Sequence, residues 1–197
     1  MSTLDEADRR EYYRIDDVIA LEITPLSAPE AASDEVLQDA SPLFNLLSEL
    51  HLSEFEAQHL LRQISERDRS LSSYLKVLNK RIDLLSQVVA QTVLGKIGEL
   101  QPVKLSEGGI EFHHPNAYPA GSHLSVKLVL MPQALGLLLR AKVTHCETRN
   151  GYYEIGTEFE AITDAQRQLL ARYILQKQAQ ARRLAREQDE SAAKDKE

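Results

Sequence analysis

Two hydrophobic periods alternate along the chain, and the switches between them divide it. Val18 to Thr24 is aliphatic and β-branched, which predicts a strand. Pro25, Pro29 and a Ser/Ala/Asp/Glu-rich stretch to Ala40 lead the chain away from any sheet. Ser41-Pro42 reads as an N-cap with proline at the first helical position, opening a short helix over Leu43–Leu50. Ser53 and Glu56 read as a capping box that starts a second helix. Along it Leu61, Ile64, Leu71, Leu75, Leu78, Ile82, Leu85 and Val89 fall on alternating steps of three and four, and Asp68 is the polar seam position. Such a 3.5-residue repeat predicts a coiled-coil helix to Leu94, about 60 Å long at 1.5 Å per residue. That exceeds what a small barrel can cover, so the helix is expected to form a protruding stalk that self-associates as a dimer or tetramer. The short helix is placed near the far end of the stalk, and Gly95 and Gly98 mark the stalk's return.

From residue 101 the period becomes two. Leu124, Val126, Leu128 and Leu130 alternate with His123, Ser125, Lys127 and Val129, a half-buried strand. Leu139, Ala141 and Val143 continue the pattern, Asn150-Gly151 signals a hairpin turn, and Tyr153, Ile155, Thr157 and Phe159 supply the next strand. Thr163 and Gln166 box the start of a helix with Leu169, Leu170, Tyr173 and Ile174 on one face. The fold class that follows is α+β: a small antiparallel β-barrel with a C-terminal helix, interrupted by a long helical insertion. Residues 1–25 and 101–182 are assigned to the barrel and closing helix, 26–100 to the insertion, and 183–197 to a polar tail expected to be disordered.

Composition narrows the function. The 197 residues are 43% apolar, enough for a core, and the net charge of −7 argues against a nucleic-acid polymer as partner. The single cysteine, Cys146, excludes an intrachain disulfide. The start, Met1-Ser2-Thr3-Leu4-Asp5-Glu6, lacks the apolar stretch of a signal peptide, and no run approaches the ~20 apolar residues of a membrane span. A cytoplasmic protein is expected.

Two short motifs carry the chemistry. Arg9-Arg10-Glu11-Tyr12-Tyr13-Arg14 precedes the first strand, and Leu105-Ser106-Glu107-Gly108-Gly109 lies far downstream. Together with Gly156-Thr157-Glu158-Phe159, Thr163-Asp164-Ala165-Gln166-Arg167 and Arg172-Tyr173-Ile174, they resemble the PilZ domain, a family of receptors for the bacterial second messenger cyclic di-GMP. The resemblance covers residues 8–25 and 101–182 and implies a PilZ-type barrel. It assigns Arg10 and Arg14 as ligand clamps with Arg9 beside them. A guanidinium fork suits both parts of such a ligand, donating to phosphate oxygens or to guanine O6 and N7. Ser106 can offer a hydroxyl, and Gly109 lets the backbone turn or come close to the ligand. In the family the second motif begins with Asp or Asn, where this chain has Lys104. A lysine has donors only. Losing one good base contact costs ~1–3 kcal/mol, although Lys104 can reach a phosphate instead.

Other residues carry less. His113 and His114 are adjacent on a strand and point to opposite faces, as do His145 and Cys146, while His51 and His59 lack partners at metal-ligand spacing. Arg182, Arg183 and Arg186 are followed by Glu187, Asp189 and Glu190, a solvated helix end. No catalytic constellation, metal site or cofactor is expected. The leading expectation is a noncatalytic cyclic di-GMP-binding signalling protein that oligomerises through its inserted helix and passes the signal to a downstream protein. The alternative is a degenerate PilZ domain that binds no nucleotide and serves as an oligomeric scaffold or adaptor. Single-stranded nucleic acid stacked on Tyr12 and Tyr13 is a third reading that the acidic balance opposes.

Overall fold

Inward-facing aliphatic residues at every second position close six strands into a barrel. The computed structural model describes residues 13–31, 37–97, 100–149 and 151–194. The strands are β1 (Ile15–Pro25), β2 (Leu100–Leu105), β3 (Ile110–His114), β4 (His123–Leu130), β5 (Leu135–Arg149) and β6 (Tyr152–Glu160). They pair antiparallel in the closed order β1-β2-β3-β6-β5-β4. β1 is long enough to serve two neighbours: Ile15 to Ala20 pair with β2, and Ala20 to Pro25 pair with β4. Leu124, Val126, Leu128 and Leu130 point inward with Leu105, Phe112, Leu139 and Ile155, so the period-two reading locates the core. Gly151, at φ +86°, turns β5 into β6; Asn150 lies outside the described residues.

One end of the barrel is closed by a helix. The C-terminal helix (Asp164–Lys194) buries Leu169, Leu170, Tyr173 and Ile174 in the barrel core, the face expected from the sequence. Thr163 and Gln166 cap it: the Thr163 N–H donates to Gln166 Oε1 at 3.1 Å, and the Gln166 N–H donates to Thr163 Oγ1 at 3.2 Å. The helix continues to Lys194, where a disordered tail was expected from 183. Alanines at 179, 181 and 185 favour helix, and Arg183 pairs with Glu187 one turn on.

The insertion departs most from the sequence reading. After a single turn, α1 (Ala28–Ala31), come two helices, α2 (Pro42–Arg67) and α3 (Arg69–Ile97), so the closing helix is α4. α2 runs unbroken through Ser53, so the expected boundary after Leu50 does not exist. The reason is tertiary: Phe44, Leu47 and His51 form one continuous buried stripe against the barrel and hold that turn helical. Ser41 is the N-cap as expected, with Pro42 in the first turn.

The break falls at Asp68, which the heptad reading treated as a polar seam position in one long helix. Asp68 has extended dihedrals (φ −141°, ψ 102°), its N–H donates to Ile64 O at 2.7 Å, and its Oδ1 accepts from the Leu71 N–H at 2.9 Å. It therefore ends α2 and caps α3, and the two pack as an antiparallel hairpin. Each arm spans about 40 Å at 1.5 Å per residue instead of a single ~60 Å rod. Leu43–Leu50 lies at the hairpin's root on the barrel, not at its far tip. There Phe44 and Leu47 join Ala20, Ala90, Val129 and Ala134 in a second core on the outer surface of the sheet. Val129 and Lys127, expected on a solvated face, are consequently buried.

Two polar ties fix this root. Ser48 Oγ donates to Gly136 O at 2.9 Å. Lys127 Nζ reaches Asp39 at 2.8 Å and Glu22 at 3.2 Å, above the Phe44 ring. Burial alone would lower the Lys127 ammonium's pKa, but the hydrogen bonds to Asp39 and Glu22 outweigh it and leave the value raised.

Candidate functional site

The first motif meets the second where β1 starts. Ile15 pairs with Leu105 at the last rung between β1 and β2. Arg14 and Ser106, the next residue on each strand, therefore leave the sheet side by side. Arg14 is exposed, whereas Arg9 and Arg10 lie outside the described residues. The base of the arm is held firmly. Asp17, three residues into the strand, accepts hydrogen bonds from the Tyr173 hydroxyl and from Lys177 Nζ, the latter at 2.8 Å, so α4 ties down the start of β1.

The β2–β3 connection is a closed turn. The Ser106 N–H donates to Gly109 O at 2.9 Å, Ser106 Oγ donates to the same carbonyl, and the Gly109 N–H donates to Ser106 Oγ at 3.1 Å. Ser106 is buried, and its hydroxyl is committed to shaping this turn. Gly109 has no positive φ; its requirement is space. A Cβ there would lie 2.0 Å from Thr157 O of β6. The turn thus sits pressed against β6, and the Phe159 N–H donates to Gly108 O at 2.7 Å.

Lys104 points outward opposite Glu111 of β3 and forms an ion pair with it. The Glu111 carboxylate, by hydrogen bond and by charge, raises the Lys104 pKa. Its side chain is 52% exposed, and the pair can open toward solvent at little cost. The structure thus brings Arg14, Ser106, Gly109 and Lys104 to one end of the β1–β2–β3 ribbon.

A second concavity lies elsewhere. A cavity of about 160 Å³ sits where the hairpin root meets α4, lined by His51, Glu54, Gln133, Arg172 and Tyr173 among others. Both His51 ring nitrogens face carbonyls, Leu47 O at 2.9 Å and Gln133 O at 2.8 Å.

The tie at Asp17 has a pH signature. Burial pushes the Tyr173 phenol well above its usual value, and the hydrogen bond to Asp17 adds to the rise. A folded-state pKa above the unfolded one contributes stability that is complete below the unfolded tyrosine value of ~10 and is lost as pH rises beyond it. Urea titrations above about pH 10 should show this loss, with a shallower alkaline decline in Tyr173→Phe.

The PilZ domain family model matches residues 78–176, half of the chain. This chain belongs to the PilZ domain family. The match begins within α3 and ends in α4, so it takes in five of the barrel strands of this PilZ chain but not β1 or the arginine arm. A solved PilZ domain from Xanthomonas campestris, described as a tetramer self-assembled via a helical bundle, superposes with a TM-score of 0.55 at 17% identity. The alignment covers 90% of this chain and 95% of that one. The Bacillus subtilis inhibitor of motility MotI/DgrA superposes at 0.43 with 13% identity, covering 87% of this chain and 52% of its own. No curated protein matches the sequence. Among the described residues, no helix is long and apolar enough to cross a membrane.

The seam leucines of this PilZ chain divide between two environments. Ser72, Ser86 and Ala90 face α2 and are buried, and small side chains let the two helices approach closely. Leu61, Ile64, Leu75, Leu78 and Val89 are half-buried. Leu71, Ile82 and Leu85 face outward with Tyr74, Leu84 and Val88. The heptad pattern thus marks an apolar face that the chain's own hairpin covers only in part.

Proposed function

We propose that this PilZ chain is a noncatalytic cyclic di-GMP receptor, cytoplasmic, which assembles with further copies of itself through α3. The observation that carries the ligand reading is the β1–β2 register. It sets Arg14 beside the Ser106–Gly109 turn, and Arg9 and Arg10 precede Arg14 closely in the sequence, which supports a ligand resting on the turn and held by these guanidinium groups. Two phosphates and two guanine edges suit paired guanidinium forks. In this arrangement Lys104 swings from Glu111 to a phosphate, and a downstream protein partner reads the bound state.

Isothermal titration of the folded chain with cyclic di-GMP tests the receptor role, which fails if no heat appears at high micromolar ligand. One observation favours the second reading, a nonbinding scaffold: Lys104 replaces the acid or amide of the family motif and spends its charge on Glu111. Under that reading the wild type is silent and Lys104→Asp restores binding.

Assembly through α3 is supported by its outward face. Ile82 is 47% exposed and Leu85 67%, a continuous apolar strip on a long helix, of the kind that marks an interface. The helical-bundle tetramer described for the Xanthomonas neighbour is consistent with a second copy as the occupant. Ile82→Asp/Leu85→Asp should convert a dimer or tetramer to monomer without unfolding it, because both side chains already face solvent. Light scattering of the wild type at micromolar concentration decides this, and a monomer there ends the proposal.

A further inference from the structure

On the outer face of the barrel, β3, β5 and β6 each present one potential metal ligand to a common point. A donor atom from Glu111, one from His145 and one from Glu154 all lie within 4.8 Å of one another. Donors bound to one ion at 2.0–2.2 Å sit roughly 3–4 Å apart, so modest side-chain rotations would close this set around a metal.

The strand geometry positions the imidazole. Pairing between β5 and β6 steps from Val143↔Thr157 to His145↔Gly156, leaving Thr144 as the extra residue of a bulge. The His145 ring then occupies the space over Gly156: a Cβ at that position would fall 2.0 Å from His145 Cε1. Any side chain at 156 would displace the ring. Thr144 Oγ1 donates to Gly156 O at 3.0 Å, and so faces His145 Nδ1, 3.2 Å away, as an acceptor. That arrangement keeps the proton on Nδ1 and leaves Nε2 with its lone pair, the kind of outer hydrogen bond that orients ligating histidines.

The two carboxylates are held close together, each with 16% of its side chain exposed. Their charges are offset from outside the cluster. Lys104 pairs with Glu111, while Arg149 Nε at 3.0 Å and His113 Nε2 at 3.8 Å approach Glu154. These three partners are at least half exposed and can turn to solvent, and surface ion pairs of this kind contribute little.

We propose that Glu111, His145 and Glu154 form a binding site for a divalent first-row transition-metal ion. One imidazole with two carboxylates suits Zn²⁺, Co²⁺ or Ni²⁺ better than Mg²⁺ or Ca²⁺, which prefer oxygen donors alone. The remaining coordination positions face solvent. Occupancy takes Glu111 from Lys104, so the ammonium competes with the metal.

The test is calorimetric titration of ZnCl₂ into the full chain after chelator dialysis, without nucleotide. The expected result is one ion per chain. His145→Ala, Glu111→Gln and Glu154→Gln should each weaken binding by about tenfold or more. Lys104→Met should tighten it several-fold, an effect opposite in sign to that of removing a ligand. His59→Ala, on the hairpin, should change nothing. Co²⁺ gives a second readout, visible d–d absorption in the wild type that disappears in His145→Ala. A wild type that takes up no zinc at millimolar concentration, or His145→Ala binding with wild-type affinity, overturns the assignment.

Discussion

Replacing Arg10 and Arg14 together with alanine should abolish cyclic di-GMP binding by titration while the circular dichroism spectrum stays unchanged. Each bidentate guanidinium contact to guanine or phosphate contributes ~1–3 kcal/mol. Losing two therefore costs ~2–6 kcal/mol, roughly 30-fold to more than 10⁴-fold in affinity. The fold should not respond, because Arg14 is exposed and precedes the first paired residue of β1. Oligomerisation should persist as well, since the apolar face of α3 is a separate segment. A double variant that binds at wild-type affinity would move the ligand site away from the arm and leave the Ser106–Gly109 turn a purely structural element.

Phe44→Ala should lower unfolding stability by about 3–5 kcal/mol, the range for truncating a fully buried phenylalanine. Phe44 is 1% exposed and seats α2 on β5, where Gly136 leaves room for it: a Cβ at 136 would sit 3.3 Å from Phe44 Cε2. The ring also lies beneath the Lys127 ammonium, 5.2 Å from its centroid, within cation–π range. The damage should be local. The barrel interior, with Leu105, Phe112, Leu128 and Ile155, belongs to a different cluster from the hairpin root. Denaturant titration supplies the magnitude. Hydrogen exchange should show faster exchange in α2 and α3 with protection kept in β2 and β3. Equal loss in both regions would mean that hairpin and barrel fold as one unit.

The contrast between these two cores explains where sequence reasoning succeeded. The interior of β4 was legible because Leu124, Val126, Leu128 and Leu130 alternate strictly, and a pleated strand has only two faces. The closing helix was legible for the same kind of reason, with Thr163 and Gln166 setting its start and four apolar residues its inner face. Val129 fell on the polar phase of β4 and was assigned to solvent. Nothing local indicated that a helix root would cover it. The hairpin break at Asp68 did leave a local signal, an aspartate able to cap a following helix. The heptad phase continued across it and suggested one rod, because both arms carry apolar faces in similar register.

The candidate sites divide along the same line. Arg14, Ser106 and Gly109 could be picked from the sequence as motif positions, but the Ser106 hydroxyl's place inside its own turn could not. His145 was weighed against its neighbour Cys146, which strand alternation does separate. Its spatial partners, Glu111 and Glu154, come from other strands and depend on the register across β3, β6 and β5 and on a one-residue bulge. Hydrophobic period and capping chemistry act over a few residues, so the sequence by itself determined β1, β4, β6 and part of β5, the closing helix, the long apolar stripe and the α+β class. Register, bulges and the choice of what covers an apolar face depend on contacts between distant segments. Only the tertiary structure decided that the stalk is a hairpin, that Lys104 faces Glu111, and that Glu111, His145 and Glu154 meet.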